Sequence, residues 1–196
     1  MHAWFSDLLN EWGIANRCIL EQQPNHPLFL LDRTFNKADE READEFISLL
    51  QAKYRTFVQE QLLASHDVTI IESVMFQDTI NTSFHGGMNK DKLRGFAHSL
   101  QDILSPLHPS LIYYYQIDPE AQWRFICSVR GMEWGPVSFK TDEDFREAGL
   151  LWRGSQAFVR GLVDDWDIPK LVIENADYLW AEYWQRIEQF VRAQVR

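Results

Sequence analysis

The sequence predicts an α/β protein in which helices flank an open, mainly parallel sheet, and three observations carry that expectation. Helical and strand-like segments alternate along the whole chain, as a succession of crossover units requires. The strand-like segments are continuously apolar instead of alternating, which suits strands covered on both faces. The composition is that of a folded globular chain: 196 residues, 45% apolar, 24% charged and 14% aromatic. Disordered, collagen-like and low-complexity architectures are excluded on those figures. No internal repeat and no Gly/Ser-rich linker is present, so one domain over residues 1–196 is expected.

The elements follow in order. Trp4, Phe5, Leu8, Leu9 and Trp12 recur at helical spacing, and Gly13 ends that helix. Arg17–Glu21 is a short apolar run closing on an acid, cut off by the turn-forming Gln23-Pro24-Asn25-His26-Pro27. From about Asp39 to Leu63, the residues Phe46, Leu50, Tyr54, Phe57 and Leu62 mark one stripe of a long amphipathic helix. Val68–Glu72 is a β-branched strand that again ends in an acid. Gly86–Lys92 leads into a helix carrying Leu93, Phe96, Leu100 and Leu104 and stopped before Pro106. Leu111–Gln116 is the third strand, and Pro119 suits the first turn of a helix reaching Gly131. Thr141, Asp142 and Asp144 cap a further helical stretch to about Val163, expected to be weak or broken at Gly149 and Gly154. Leu171–Glu174 is the fourth strand, and a terminal helix carries Trp180, Tyr183, Trp184, Ile187 and Val191, its tryptophans expected in the core.

Charge and cysteine content narrow the function. Twenty-nine acidic residues against nineteen basic give a formal charge of −10, which repels phosphate backbones and argues against nucleic acid as a partner. A small phosphorylated ligand is compatible with it, because a few local arginines and backbone amides suffice to hold one. Cys18 and Cys127 stand alone in apolar runs and are expected as buried thiols in a reducing compartment. No stretch approaches the roughly 20 apolar residues of a membrane span, and no secretory leader is visible. A cytoplasmic protein without a membrane partner is expected.

In open parallel sheets, ligands lie beyond the carboxyl ends of the strands. That places Glu21, Glu72 with Ser73, Gln116 with Asp118, and Glu174 with Asn175 around a possible crevice. Carboxylates there could hold Mg²⁺ or orient an attacking hydroxyl, or could simply mark where each strand reaches the surface. Arg124 and Arg130 are candidate phosphate clamps through their planar guanidinium forks, although six residues is not a same-face spacing on a helix. The six histidines show no metal spacing such as i, i+4, and no G-x-S-x-G nucleophile elbow is present.

The runs ILEQQPNHP, VTIIES followed by FQDTIN, LIYYYQIDPEAQWRFICSVRGMEW and LVIENADYLWAEYWQRIEQF, in that order, resemble the P-loop kinase-like proteins related to thymidylate and other nucleoside monophosphate kinases. The resemblance spans nearly the whole chain with loose individual motifs. It implies a three-layer α/β/α fold, ATP and Mg²⁺ as cofactors, and phosphoryl transfer to a small-molecule acceptor. It assigns Glu72 to the metal and acceptor, and Glu21, His26 and Gln77 to the acceptor side. Arg124 and Arg130, followed along the chain by Glu133 and Trp134, fall in the lid helix and its edge, within a lid region over 119–165, and so to the transferring phosphate, and Asn175 falls to the adenine side.

One departure stands against these matches. No segment fits G-x-x-x-x-G-K-[ST], whose amides and lysine hold the β- and γ-phosphates, and Gly86-Gly87 lacks the preceding strand and the spacing. The chain begins with the helix that follows this loop in the family, as expected of a truncated product, a late start or a degenerate relative. The absent first strand is the centre of the family's sheet, ordered 2-3-1-4-5. The strands at Val68 and Leu111 are therefore expected either to pair directly or to leave a slot for another segment or chain. Two rival functions remain: a non-catalytic binding or interaction module, for which self-association into a homo-oligomer would speak, and a hydrolase using Glu21 and Glu72 as paired carboxylates.

Overall fold

The computed structural model describes residues 2–30, 33–132 and 139–195. Within them the chain forms two compact units, Met1–His108 and Pro109–Arg196. The α/β class holds, with four strands in two separate parallel sheets of two strands each.

The first unit opens with α1 (His2–Glu11), ended by Gly13 at φ +74°. Strand β1 (Asn16–Ile19) pairs in parallel with β2 (Val68–Ile71), Asn16 opposite Val68 and Ile19 opposite Ile71. Parallel neighbours cannot be joined by a tight turn, and the crossover here is α2 (Glu40–Leu62) with its flanking loops. Asp39 caps α2, its side chain accepting from the Glu42 N–H at 2.9 Å. The predicted stripe is buried at Phe46, Leu50, Tyr54 and Phe57, while Leu62 is 58% exposed. Five residues from Phe57 is about 500° of helical rotation, well off the stripe, and Val58 takes the buried place instead.

After β2 the backbone turns at Ser73, which adopts φ +59°, into a π-helical segment, Val74–Ile80, continued by α3 (Asn81–His85). A non-glycine residue in the left-handed region and a π-helical turn are both conformations that concentrate at functional sites. Helix α4 (Lys90–Leu104) follows, capped by the Asn89 side chain on the Asp91 and Lys92 N–H groups, and packs on α2. The core includes Leu9, Ile19, Leu50, Ile80, Leu93 and Leu100.

The second unit is also a parallel crossover. Strand β3 (Leu111–Tyr115) pairs with β4 (Lys170–Glu174), Leu111 opposite Lys170, through α5 (Pro119–Arg130) and α6 (Asp142–Asp165). Helix α7 (Trp180–Gln194) packs on β4. Its buried stripe is Tyr183, Ile187 and Val191. Trp180 is 40% exposed and Trp184 half-buried, so the expectation of both in the core fails because Tyr183 and Ile187 already fill the inward face. Cys127 is buried against Phe139, Phe145 and Ala148; Cys18 is only half-buried, and both are free thiols.

The expected weakness of the 141–163 helix is also corrected: α6 runs unbroken for 24 residues. A side chain at Gly149 would put its Cβ 2.8 Å from Glu120 Cβ, so this glycine is what lets α5 and α6 approach. At the far end of α6 the Lys170 ammonium donates to the carbonyls of Val163, Asp164 and Trp166 at 2.9, 2.6 and 2.7 Å. At its start, Thr141 accepts from the Asp144 N–H at 3.2 Å while the Asp144 carboxylate accepts from the Thr141 and Lys140 N–H groups at 2.8 and 2.7 Å. Thr141→Ala removes half of that reciprocal cap and is expected to lower stability by about 1 kcal/mol, measured by urea unfolding.

Candidate functional site

The first unit holds a cavity of about 420 Å³ at the carboxyl ends of β1 and β2. Glu21 lines it from the turn after β1; Asp78 and Thr82 line it from the π-helical segment and α3; Lys37 from the loop before α2; and Phe29 and Phe46 supply apolar wall. Asp78 and Thr82 stand four residues apart in this helical run, the spacing that puts two side chains on one face.

The electrostatics of the cavity are unusual in two places. Asp78 has a buried Oδ2 with no hydrogen-bond partner among the described residues. Burial, and then the negative charge of Glu21, push its carboxyl up to about 6. A carboxyl titrating close to neutrality beside a second one is equipped to take up and release a proton. Lys37 is the other case: burial lowers its pKa, its Nζ donates to Thr82 Oγ1 at 3.0 Å, and it lies 4.6 Å from the centroid of the Phe46 ring.

The residues singled out from sequence separate clearly in the fold. Glu21 is in the cavity. Glu72 follows β2 directly, its N–H donating to the Ile19 carbonyl at 3.0 Å, so Glu21 and Glu72 leave the same end of one parallel pair. Gln77 is exposed and is not part of the cavity lining, whereas the next residue, Asp78, is. One position is 100° of an α-helix and somewhat less in a π-turn, enough to separate the two side chains.

His26 is 2% exposed and stacks on Phe29 with ring centroids 4.3 Å apart. Its Nδ1 accepts from the Leu28 N–H at 3.2 Å, which leaves the ring proton of the neutral form on Nε2. Burial, and then the positive charge of Lys53, lower its pKa. Because it is not among the residues that face the cavity, its contribution is to brace the Phe29 wall from behind.

In the second unit, Arg124 donates to Asp142 at 2.7 Å and to Glu120 at 2.9 Å, and lies 4.6 Å from the centre of the Phe145 ring. The two carboxylates, Asp142 first, raise its pKa further. Its charge is thus already used in joining α5 to α6. Arg130 is exposed at the last position of α5, six residues on, and off the Arg124 face as the spacing requires. Asn175 is 6% exposed; its N–H donates to the Tyr115 carbonyl at 2.9 Å and its Nδ2 to Gln116 Oε1 at 3.2 Å. It therefore ties together the ends of β3 and β4. Glu133 and Trp134 lie outside the described residues.

Two titratable cavity residues escaped the reading of the sequence. Asp78 sits inside the polar stretch after the second strand, five residues past Ser73, where only its neighbour was chosen; the polar run is the signal, and it points to both residues alike. Lys37 carries no such signal, since its position comes from loop tethers described below.

No group of three or more His, Cys, Asp or Glu side chains capable of holding a metal ion occurs among the described residues. Mg²⁺ is commonly held by one or two carboxylates and substrate phosphates, so Glu21 and Glu72 retain the right chemistry for part of such a site. The triphosphate finds no counterpart, because the 196-residue sequence has no G-x-x-x-x-G-K-[ST]. Among the described residues, no helix is long and apolar enough to cross a membrane.

The raised carboxyl of Asp78 has a consequence for stability. Its folded pKa of about 6 lies above the ordinary 3.8, so the folded state holds its proton more tightly and loses stability as pH rises from about 4 to about 6. Asp78→Asn keeps the neutral shape and removes that loss. The variant is expected to be about 1–2 kcal/mol more stable than the native chain at pH 8, after allowing for water screening at this half-buried site, and nearly equal at pH 4. Urea unfolding at the two pH values measures the difference. The chain matches no family model, no curated protein and no solved structure.

Proposed function

We propose that this chain is the acceptor-binding body of a kinase-like phosphotransferase, with the three-layer P-loop arrangement that the motif order implies. The observation that supports this reading best is the placement of a strand-end carboxylate, Glu21, in one cavity with Asp78 and Lys37 at the carboxyl ends of parallel strands. Such strand ends are where open α/β sheets hold small ligands, and a carboxyl near neutrality is suited to accept the proton of an attacking hydroxyl. On this reading a small molecule carrying a hydroxyl enters the cavity, Asp78 or Glu21 takes its proton, and Glu72 orients the acceptor or a bound Mg²⁺.

The donor side is left without protein contacts of its own. ATP would supply the phosphoryl group, but the sequence offers no amide cradle for a triphosphate, and the roles assigned to side chains end at the acceptor. A cytoplasmic setting and ATP and Mg²⁺ as cofactors are parts of the same proposal.

A second reading is a non-catalytic binding module, favoured by the commitment of Arg124 to two carboxylates. Calorimetry and thermal shift separate the two. For the phosphotransferase body, hydroxyl-bearing small molecules raise the melting temperature, Asp78→Ala weakens their binding at least tenfold, and Mg·ATP binds no tighter than the millimolar range. Micromolar Mg·ATP affinity would refute the importance given to the missing loop. A panel of acceptors without effect, together with self-association at low concentration, would favour the binding module.

A further inference from the structure

The Gly86–Gly87 pair has no place in a phosphate loop, yet it has a steric role. The loop before α2 is tied down at three points. Arg33 forks onto Glu45 at 2.6 and 3.0 Å, the Asn36 N–H donates to Glu42 Oε2 at 2.8 Å, and Asp39 caps α2. Lys37 crosses between these tethers onto the end of α3. A Cβ at Gly86 would meet Lys37 Cβ and Cδ at 3.3 Å and the Thr82 carbonyl at 3.1 Å. Gly87 has φ +81°, and a Cβ there would lie 3.2 Å from Ala38 Cβ. Two adjacent residues without side chains thus let residues 37 and 38 lie against the turn that follows α3.

The lysine so placed is left with bonding capacity. An ammonium has three donors, and one is used on Thr82 Oγ1. Its remaining neighbour of note is the face of Phe46, and among the described residues no carboxylate lies within ion-pair distance of it. Lys92, by contrast, is paired with both Asp44 and Glu40. A partly desolvated cation facing a cavity is stabilised by an anion entering that cavity. The same cavity carries Glu21 and Asp78, which repel an anion and attract hydroxyl or ammonium donors.

We propose that Lys37, held in place by the Gly86–Gly87 turn, is the oxyanion-binding residue of this cavity, and that the ligand is a small bipolar molecule. Its phosphate or carboxylate lies on Lys37 and its hydroxyl or ammonium donors face Glu21 and Asp78. This rests on the cavity being the acceptor site, but not on phosphoryl transfer taking place there.

The test follows the Lys37 side chain by NMR in the full chain labelled with ¹³C-lysine, titrated with inorganic phosphate, O-phosphoethanolamine and β-alanine. The two bipolar probes are expected to shift the Lys37 resonance saturably, raise the pH at which it titrates, and bind at least tenfold tighter than inorganic phosphate. The stronger of them identifies the oxyanion as phosphate or carboxylate. Lys37→Met is expected to abolish binding. Gly86→Ala is expected to displace the free-state Lys37 resonance and weaken binding tenfold or more. Should that variant fail to fold, Thr82→Val removes the oxygen bonded to Nζ and is expected to move the same resonance. The proposal is overturned if no probe moves Lys37 more than exposed Lys90, if inorganic phosphate binds as tightly as the bipolar probes, or if neither variant displaces the Lys37 resonance. Probe binding at Lys37 in a chain that transfers no phosphate would retain this inference and remove the phosphotransferase reading.

Discussion

Parallel pairing is the constraint on which both units depend. Two strands running the same way need a long connection between them, and they finish at the same edge of the sheet. In the first unit this brings Glu21 and Glu72 out side by side and obliges the chain to turn sharply at Ser73, φ +59°. In the second it brings Gln116 and Asn175 together, where the hydrogen bond from the Asn175 side-chain amide to the Gln116 side-chain carbonyl closes the ends of β3 and β4. The polar residues at these edges are consequences of topology before they are instruments of chemistry, and at the first edge a cavity makes use of them.

The cavity sets two opposite electrostatic problems against each other. Asp78 is a carboxyl that burial and Glu21 discourage from ionising, and Lys37 is an amine that burial discourages from protonating. Neither is relieved by an ion pair with the other. A site in which an acid and a base both hold charge poorly responds strongly to whatever enters it, since a bound group of either sign stabilises one of them. The net charge of −10 spread over the chain says nothing about this local balance, which burial creates together with the charge of Glu21.

Much of the fold was legible because its signals are local. The apolar runs at Val68 and Leu111, the capping residues Asp39 and Thr141, and the glycine at position 13 each specify their element without help from distant residues. Glu21 was legible through a rule about strand ends. What stayed hidden depends on shape at a distance. The π-helical turn at Val74–Ile80 has no periodicity that distinguishes it from a loop, so Asp78 and Gln77 could not be told apart. His26 reads as a loop histidine and proves to be a buried brace. Gly149 lowers helix propensity in isolation, and its contribution emerges only when Glu120 of α5 lies against it. Lys37 is placed by tethers to Glu42 and Glu45 and by two absent side chains, none of which a single stretch of sequence displays. Arg124 shows the converse: its residue type suggested a phosphate, and proximity to Asp142 and Glu120 gave it a structural task.

Lys170 carries a consequence of a different kind. One ammonium at the first residue of β4 gathers three carbonyls at the end of α6, which fuses the fraying point of a helix to the leading edge of a strand. Terminal turns of helices ordinarily open first, and edge strands loosen next. Opening the last turn of α6 also takes those carbonyls from the ammonium at the start of β4, so helix end and strand start are expected to loosen together.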